Sequence, residues 1–226
     1  MKIVTIVGIR GAGKTTLVEA LLAEFQSRRL QAGTIKTVFC PTFHMDKPGS
    51  NTDRHTKAGS ELVGIRAELE TVLLYPRRLQ PSEILAHYSN FDVVICEGDY
   101  DLPVPRIVAA HGEADARERI NSRTLALSGV IANSMRELDG LPALHPDRDS
   151  AVLADLVLAM PDVTDLSALD AALNGPDAAL SRDFCAQGCK GHIKKPAGVR
   201  VVVDGKPLAL TPEQESLIRQ WTAGRE

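Results

Sequence analysis

Short apolar runs alternate with stretches of helical spacing from the N-terminus to Met160. Lys2 to Val7 is rich in β-branched residues, the pattern of a strand buried on both faces. From Thr15 to Leu30, Leu17, Val18, Leu21, Leu22 and Phe25 recur at helical spacing. After Gly33, Thr34 to Phe39 reads as a second strand. Leu62 to Ile65, Thr71 to Tyr75, Phe91 to Cys96, Arg106 to Ala110 and Ala126 to Ala132 are further strand candidates. Pro81 to Tyr88 is a short helix with proline at its start, and Ser150 to Met160 a longer one. Residues 40–60 hold Pro41, Pro48, Gly49 and Gly59 and read as a long loop with at most one short helix. Loops of such length in compact domains are commonly functional. Strands alternating with helices predict a layered α/β domain with a largely parallel sheet over residues 1–175.

The pattern changes over residues 176–226, which read as a C-terminal appendage. Val199 to Leu210 has the form of a hairpin turning at Asp204-Gly205. Thr211 can cap a last helix in which Leu217, Ile218 and Trp221 share a face.

Composition alters this picture little. A formal net charge of -3 in 226 residues gives no basic field for nucleic acid or anionic lipid. No run reaches the apolar length of a membrane span, and Ile3 to Val7 is too short for a signal peptide. A cytoplasmic protein is expected, in which the four cysteines serve as thiols or metal ligands rather than disulfides.

The strongest chemical signal is Gly8-Ile9-Arg10-Gly11-Ala12-Gly13-Lys14-Thr15, which matches G-x4-G-K-[ST] between a predicted strand and a predicted helix. Glycines there let the backbone curl so that successive N–H groups face phosphate oxygens, and the new helix adds its positive end. The expected phosphate-binding residues are Arg10, Gly11, Ala12, Gly13, Lys14, Thr15 and Thr16, with Lys14 neutralising β and γ oxygens. Thr15 would ligate Mg²⁺, and such sites need a carboxylate at the end of another strand. Glu97 is the first candidate, Asp99 the second, and Asp46 in the long loop a third; each also fits a solvated residue. The motif predicts a P-loop NTPase three-layer fold. The guanine-reading Asn-Lys-x-Asp pattern is absent, and Asn133 could replace part of it or simply sit in a turn. Spacing therefore leaves GTP and ATP open.

Taken in order, the P-loop, Ile35-Lys36, Asp46-Lys-Pro-Gly49, Asn51-Thr-Asp-Arg54, Ala58-Gly59, Phe91 through Glu97-Gly98 and Pro105-Arg-Ile107 form a longer pattern. This resembles the molybdopterin-guanine dinucleotide biosynthesis protein B (MobB) family over about residues 1 to 160. The resemblance implies a homodimeric P-loop protein that binds GTP with Mg²⁺ and hydrolyses it slowly. Its partner would be a molybdopterin nucleotidyltransferase or a molybdoenzyme apo-protein. It implies phosphate contacts from Gly11 to Thr16, metal contacts from Thr15 and Glu97 with Asp46 close by, and a place for Arg54 in a mobile loop near the nucleotide. The chain departs from the family at Thr37 and Cys40, where histidines are common, and at Asn51, where an Asp is typical.

Cys185-x3-Cys189, with His192 three residues on, could bind Zn²⁺ or anchor an iron–sulfur cluster, or could be packed thiols. Cys96 lies in a predicted buried strand and reads as core. Two alternative functions follow: a metallochaperone GTPase carrying metal on these residues, or a small-molecule P-loop kinase.

Overall fold

The computed structural model describes residues 1–40, 42–98, 101–173, 201–203 and 206–208. Asp99, Cys185, Cys189, His192 and the helix expected after Thr211 lie outside the described residues. The chain divides into two compact units, Met1–Cys185 and Ala186–Glu226.

The first unit is a sheet of five parallel strands. Its strands are β1 (Lys2–Val7), β2 (Ala32–Lys36), β5 (Val93–Glu97), β6 (Arg106–Ala109) and β7 (Thr124–Ser128), in the order β2-β5-β1-β6-β7. Central parallel strands are covered on both faces, which explains their unbroken apolar runs. Val4, Ile6, Val93, Ile95, Ile107 and Ala126 point to one face. There they meet Leu17, Val18, Leu21 and Phe25 of α1 (Lys14–Ser27) and Leu153, Ala154 and Val157 of α5 (Ser150–Leu158). Ile3, Val94 and Cys96 turn to the opposite face and pack with Leu85 of α3 (Pro81–Ala86) and Leu169 of α6 (Ser167–Leu173). Val7, Val108 and Leu127 share that face with Ala116 of α4 (Glu113–Arg117) and Ile131 of a 3-10 turn, Gly129–Asn133. The result is the expected three-layer α/β fold. Thr5, wholly buried among these strands, donates its hydroxyl to the Cys96 carbonyl at 3.0 Å, which removes the cost of a bare polar group.

Two expectations shift. The second strand starts at Ala32, ahead of the predicted Thr34, and ends at Lys36. Gly33 belongs inside it because the rings of Tyr88 and Phe91 press on that position; a Cβ there would lie 2.6 Å from Tyr88. The apolar run Ala126 to Ala132 is a strand only to Ser128; the 3-10 turn that follows stays apolar because it buries Gly129, Ile131 and Ala132, while Val130 is exposed.

Residues 40–60 contain one short helix, α2 (Asn51–Lys57), capped by Ser50, whose hydroxyl accepts from the Asp53 N–H at 3.0 Å. β3 (Val63–Arg66) and β4 (Thr71–Leu74) pair antiparallel with each other, forming a ribbon separate from the main sheet. Leu141–Pro142 (β9) pairs in the same antiparallel sense with Glu137–Leu138 (β8). In the second unit, β10 (Val201–Val203) and β11 (Lys206–Leu208) pair antiparallel, in keeping with the predicted hairpin. Among the described residues no helix is long and apolar enough to cross a membrane.

Candidate functional site

Strand order reverses about β1: β5 and then β2 lie on one side, β6 and β7 on the other. Crevices at the carboxyl ends of strands at such a reversal are where open α/β sheets bind ligands. The chain leaves β1 into this crevice at Gly8 and reaches α1 at Lys14. Gly8, Gly11 and Gly13 take φ values of 153°, 80° and 96°, a region that side-chain-bearing residues rarely occupy. Gly8 also has no room for a side chain, because a Cβ would lie 2.1 Å from the Ala109 carbonyl oxygen of β6.

Gly13 is the N-cap of α1 and carries no side-chain acceptor, so the first-turn N–H groups of the helix keep no internal cap. Thr15 and Thr16 in that turn are exposed. Those donors and the helix dipole suit an anion in the crevice. Lys14 is half-buried, and its Nζ donates to the carbonyls of Gly8 (2.7 Å) and Ile9 (2.8 Å), closing the loop on itself. Burial lowers the Lys14 pKa; Glu97 opposes that shift, and Lys36 and Arg119 add to it. An anionic ligand would reverse this balance by supplying negative charge to a partly desolvated ammonium.

The other side of the crevice is built by β6 and β7. Ala12 is fully buried, and its carbonyl accepts from the Val130 N–H at 3.3 Å. Gly129 (φ 80°) lies against this peptide so closely that a Cβ would be 1.9 Å from the Ala12 oxygen. Arg10 is exposed at the tip, and its carbonyl is 3.3 Å from Nε2 of His111, just past the end of β6. The Asp115 carboxylate fixes the His111 backbone by accepting its N–H at 2.9 Å, and its other oxygen accepts from buried Arg119. Neither His111 nor Gly129 emerges from the sequence reading. The available signal for His111 is its position directly after an apolar run, at a strand's carboxyl end.

Glu97 ends β5, beside β1, with its side chain 13% exposed. Its Oε1 accepts from Lys36 Nζ at 3.1 Å. The Thr15 hydroxyl and the Glu97 carboxylate are hard oxygen donors of the kind that suit Mg²⁺, which commonly takes one or two protein ligands and completes its shell with phosphates and water. Asp46 is engaged within its own loop. Its Oδ1 accepts from the Lys47 N–H (2.8 Å) and the Ser50 hydroxyl (2.9 Å), and hydrogen bonds from Thr52 above all, then Ser50 and Lys47, hold its pKa down. Arg54 is exposed on α2, and Asn133 is exposed at the end of the 3-10 turn.

The family model for molybdopterin guanine dinucleotide synthesis protein B matches residues 3–133, more than half of the 226-residue chain. The chain belongs to this family. A probable molybdopterin-guanine dinucleotide biosynthesis adapter protein of Bacillus subtilis is 26% identical over 163 residues, spanning 69% of this chain and 91% of that protein. A putative adapter protein of the same description from Methanocaldococcus jannaschii is 22% identical over 227 residues, with 94% and 85% covered. The crystal structure of Bacillus subtilis MobB superposes with a TM-score of 0.55 at 27% identity, covering 70% of this chain and 97% of that one. A MobB homolog from Bacillus stearothermophilus gives 0.54 at 20% identity, with 71% and 100% covered, a likeness of fold. The matched residues 3–133 contain the glycine loop of residues 8–15, Lys36, Asp46, Glu97 and His111.

Proposed function

We propose that this chain is a GTP-binding adaptor in molybdopterin guanine dinucleotide synthesis, working with Mg²⁺ as a homodimer and hydrolysing GTP slowly. One observation carries the reading: a glycine cradle at the sheet's reversal point, with Lys14 folded onto its carbonyls and Glu97 on the adjacent strand, in a member of this family. Lys14 exchanges two carbonyl partners for phosphate oxygens when nucleotide enters. The first-turn N–H groups of α1 receive the phosphates, and His111 steadies the loop tip through the Arg10 carbonyl. Thr15 and Glu97 would hold the metal, which would supply positive charge to offset that of the phosphates. Binding energy then serves to set a conformation that a nucleotidyltransferase or a molybdoenzyme apo-protein recognises, as in other nucleotide switches.

Calorimetric titration of GTP and ATP with Mg²⁺ into wild type and Lys14→Ala tests this. GTP should bind selectively, and the variant should lose about 10- to 100-fold in affinity, the scale of a hydrogen bond to a charged group. Selective ATP binding would move the protein to the kinase or ATPase class, and no binding of either nucleotide would overturn the reading. Turnover of many GTP per second without a partner would contradict the adaptor role.

A further inference from the structure

Lys36 and Glu97 end neighbouring parallel strands in direct register. The Lys36 ammonium is 3.1 Å from Glu97 Oε1. The two partners are unequally placed: the glutamate side chain is 13% exposed and the lysine 64%. Glu97 is thus a largely shielded carboxylate whose charge is compensated by a long side chain free to swing into solvent. An ammonium group therefore already occupies the carboxylate at the position where the functional reading puts a divalent cation. A metal approaching Glu97 alone must displace Lys36 and face the repulsion of its ammonium. A metal arriving with a triphosphate brings several negative charges, which reverse that repulsion and give the displaced Lys36 new anionic partners.

We propose that Lys36 is a stand-in cation: it occupies Glu97 while nucleotide is absent and so makes metal binding conditional on nucleotide. The inference rests on the Mg²⁺–GTP reading and adds to it a residue that couples the two ligands. Coupling of this kind is a free energy shared between sites and is reciprocal, so Lys36 should affect metal affinity chiefly in the nucleotide-free protein. Its lysine partner is mostly in solvent, which keeps the pair's strength modest and lets a divalent ion with phosphates displace it.

The test is a titration of Mn²⁺, followed by electron paramagnetic resonance, into the full chain with and without GTP. Wild type, Lys36→Met, Lys36→Arg and Glu97→Gln are compared, with thermal melting to confirm folding. Lys36→Met should tighten nucleotide-free Mn²⁺ binding by about 2- to 5-fold, the scale of an exposed ion pair. With GTP present it should change binding less, so the ratio of the two affinities shrinks. Lys36→Arg keeps the charge and should keep the wild-type ratio. Glu97→Gln should abolish the site in both states. Equal ratios in wild type and Lys36→Met would overturn the stand-in role while leaving the nucleotide reading intact. A Lys36→Arg ratio like that of Lys36→Met would also overturn it, because charge would then not be the cause. Wild type that takes up no Glu97-dependent Mn²⁺ with GTP would overturn the functional reading and this inference together.

Discussion

Replacing Gly129 by alanine isolates the packing between the 3-10 turn and the glycine loop after β1. The new Cβ would stand 1.9 Å from the Ala12 oxygen and 3.1 Å from its carbon, both backbone atoms that no rotamer change can move. The two segments must part by about an ångström, which forfeits the Val130 N–H to Ala12 hydrogen bond. Overpacking of this sort costs about 1–3 kcal/mol. The backbone adds a second charge, because Gly129 has φ of 80° and a left-handed conformation costs an L-residue about 1–2 kcal/mol. The sum is about 2–5 kcal/mol, and at about 2–4 °C per kcal/mol the unfolding midpoint should fall by roughly 10 °C. Gly140 supplies the control. It has the same φ of 80° but nothing within 4 Å of its Cβ position, so Gly140→Ala should cost only the backbone component, about 2–8 °C in Tm. Thermal and urea melts of both variants give the comparison. GTP affinity measured well below the melt should fall for Gly129→Ala alone, since only there is the Ala12 peptide displaced. Equal destabilisation by the two substitutions would refute the argument that the turn buttresses the loop.

Two further outcomes follow from the geometry. His111→Ala should weaken GTP binding by about 2- to 5-fold with little change in Tm, because one hydrogen bond to the Arg10 carbonyl is lost; His111→Gln should restore part of it, and calorimetry reads both. Glu83 is held at a pKa of about 2, first by the Arg77 guanidinium and then by the Gln80 N–H. Its folded value is depressed from 4.5, so the stabilisation is fully present above about pH 4.5 and is lost as pH falls toward 2. Melting midpoints of Glu83→Gln should therefore fall less steeply than those of wild type across that acid range.

What could be read from the sequence is what depends on near neighbours along the chain. β1, the glycine loop after it and α1 are legible together because a β-branched run, a glycine pattern and a helical stripe follow one another without interruption. β3 and β4 were legible as strands, yet nothing local says that they pair only with each other. α4 and α6 went unread: they are five and seven residues long, and their short, partly charged stretches carry too little periodicity. The true start of edge strand β2 is hidden in the sequence because Gly33 has the look of a boundary, whereas Tyr88 and Phe91 need the space of its missing side chain. Glu97 was legible as a strand-end carboxylate. Its neighbour Lys36, 61 residues away in sequence, becomes its partner only through the parallel register of β2 and β5. His111 and Gly129 likewise follow β6 and β7, and acquire roles only because the strand order brings both ends to the loop after β1. The division has a physical cause. A phosphate cradle is local because consecutive N–H groups must point inward, whereas the groups that tune its charge come from neighbouring strands. If the glycine loop binds phosphate as proposed, its metal coupling and stiffness in this chain should accordingly reside in Lys36, His111 and Gly129, which no local motif contains.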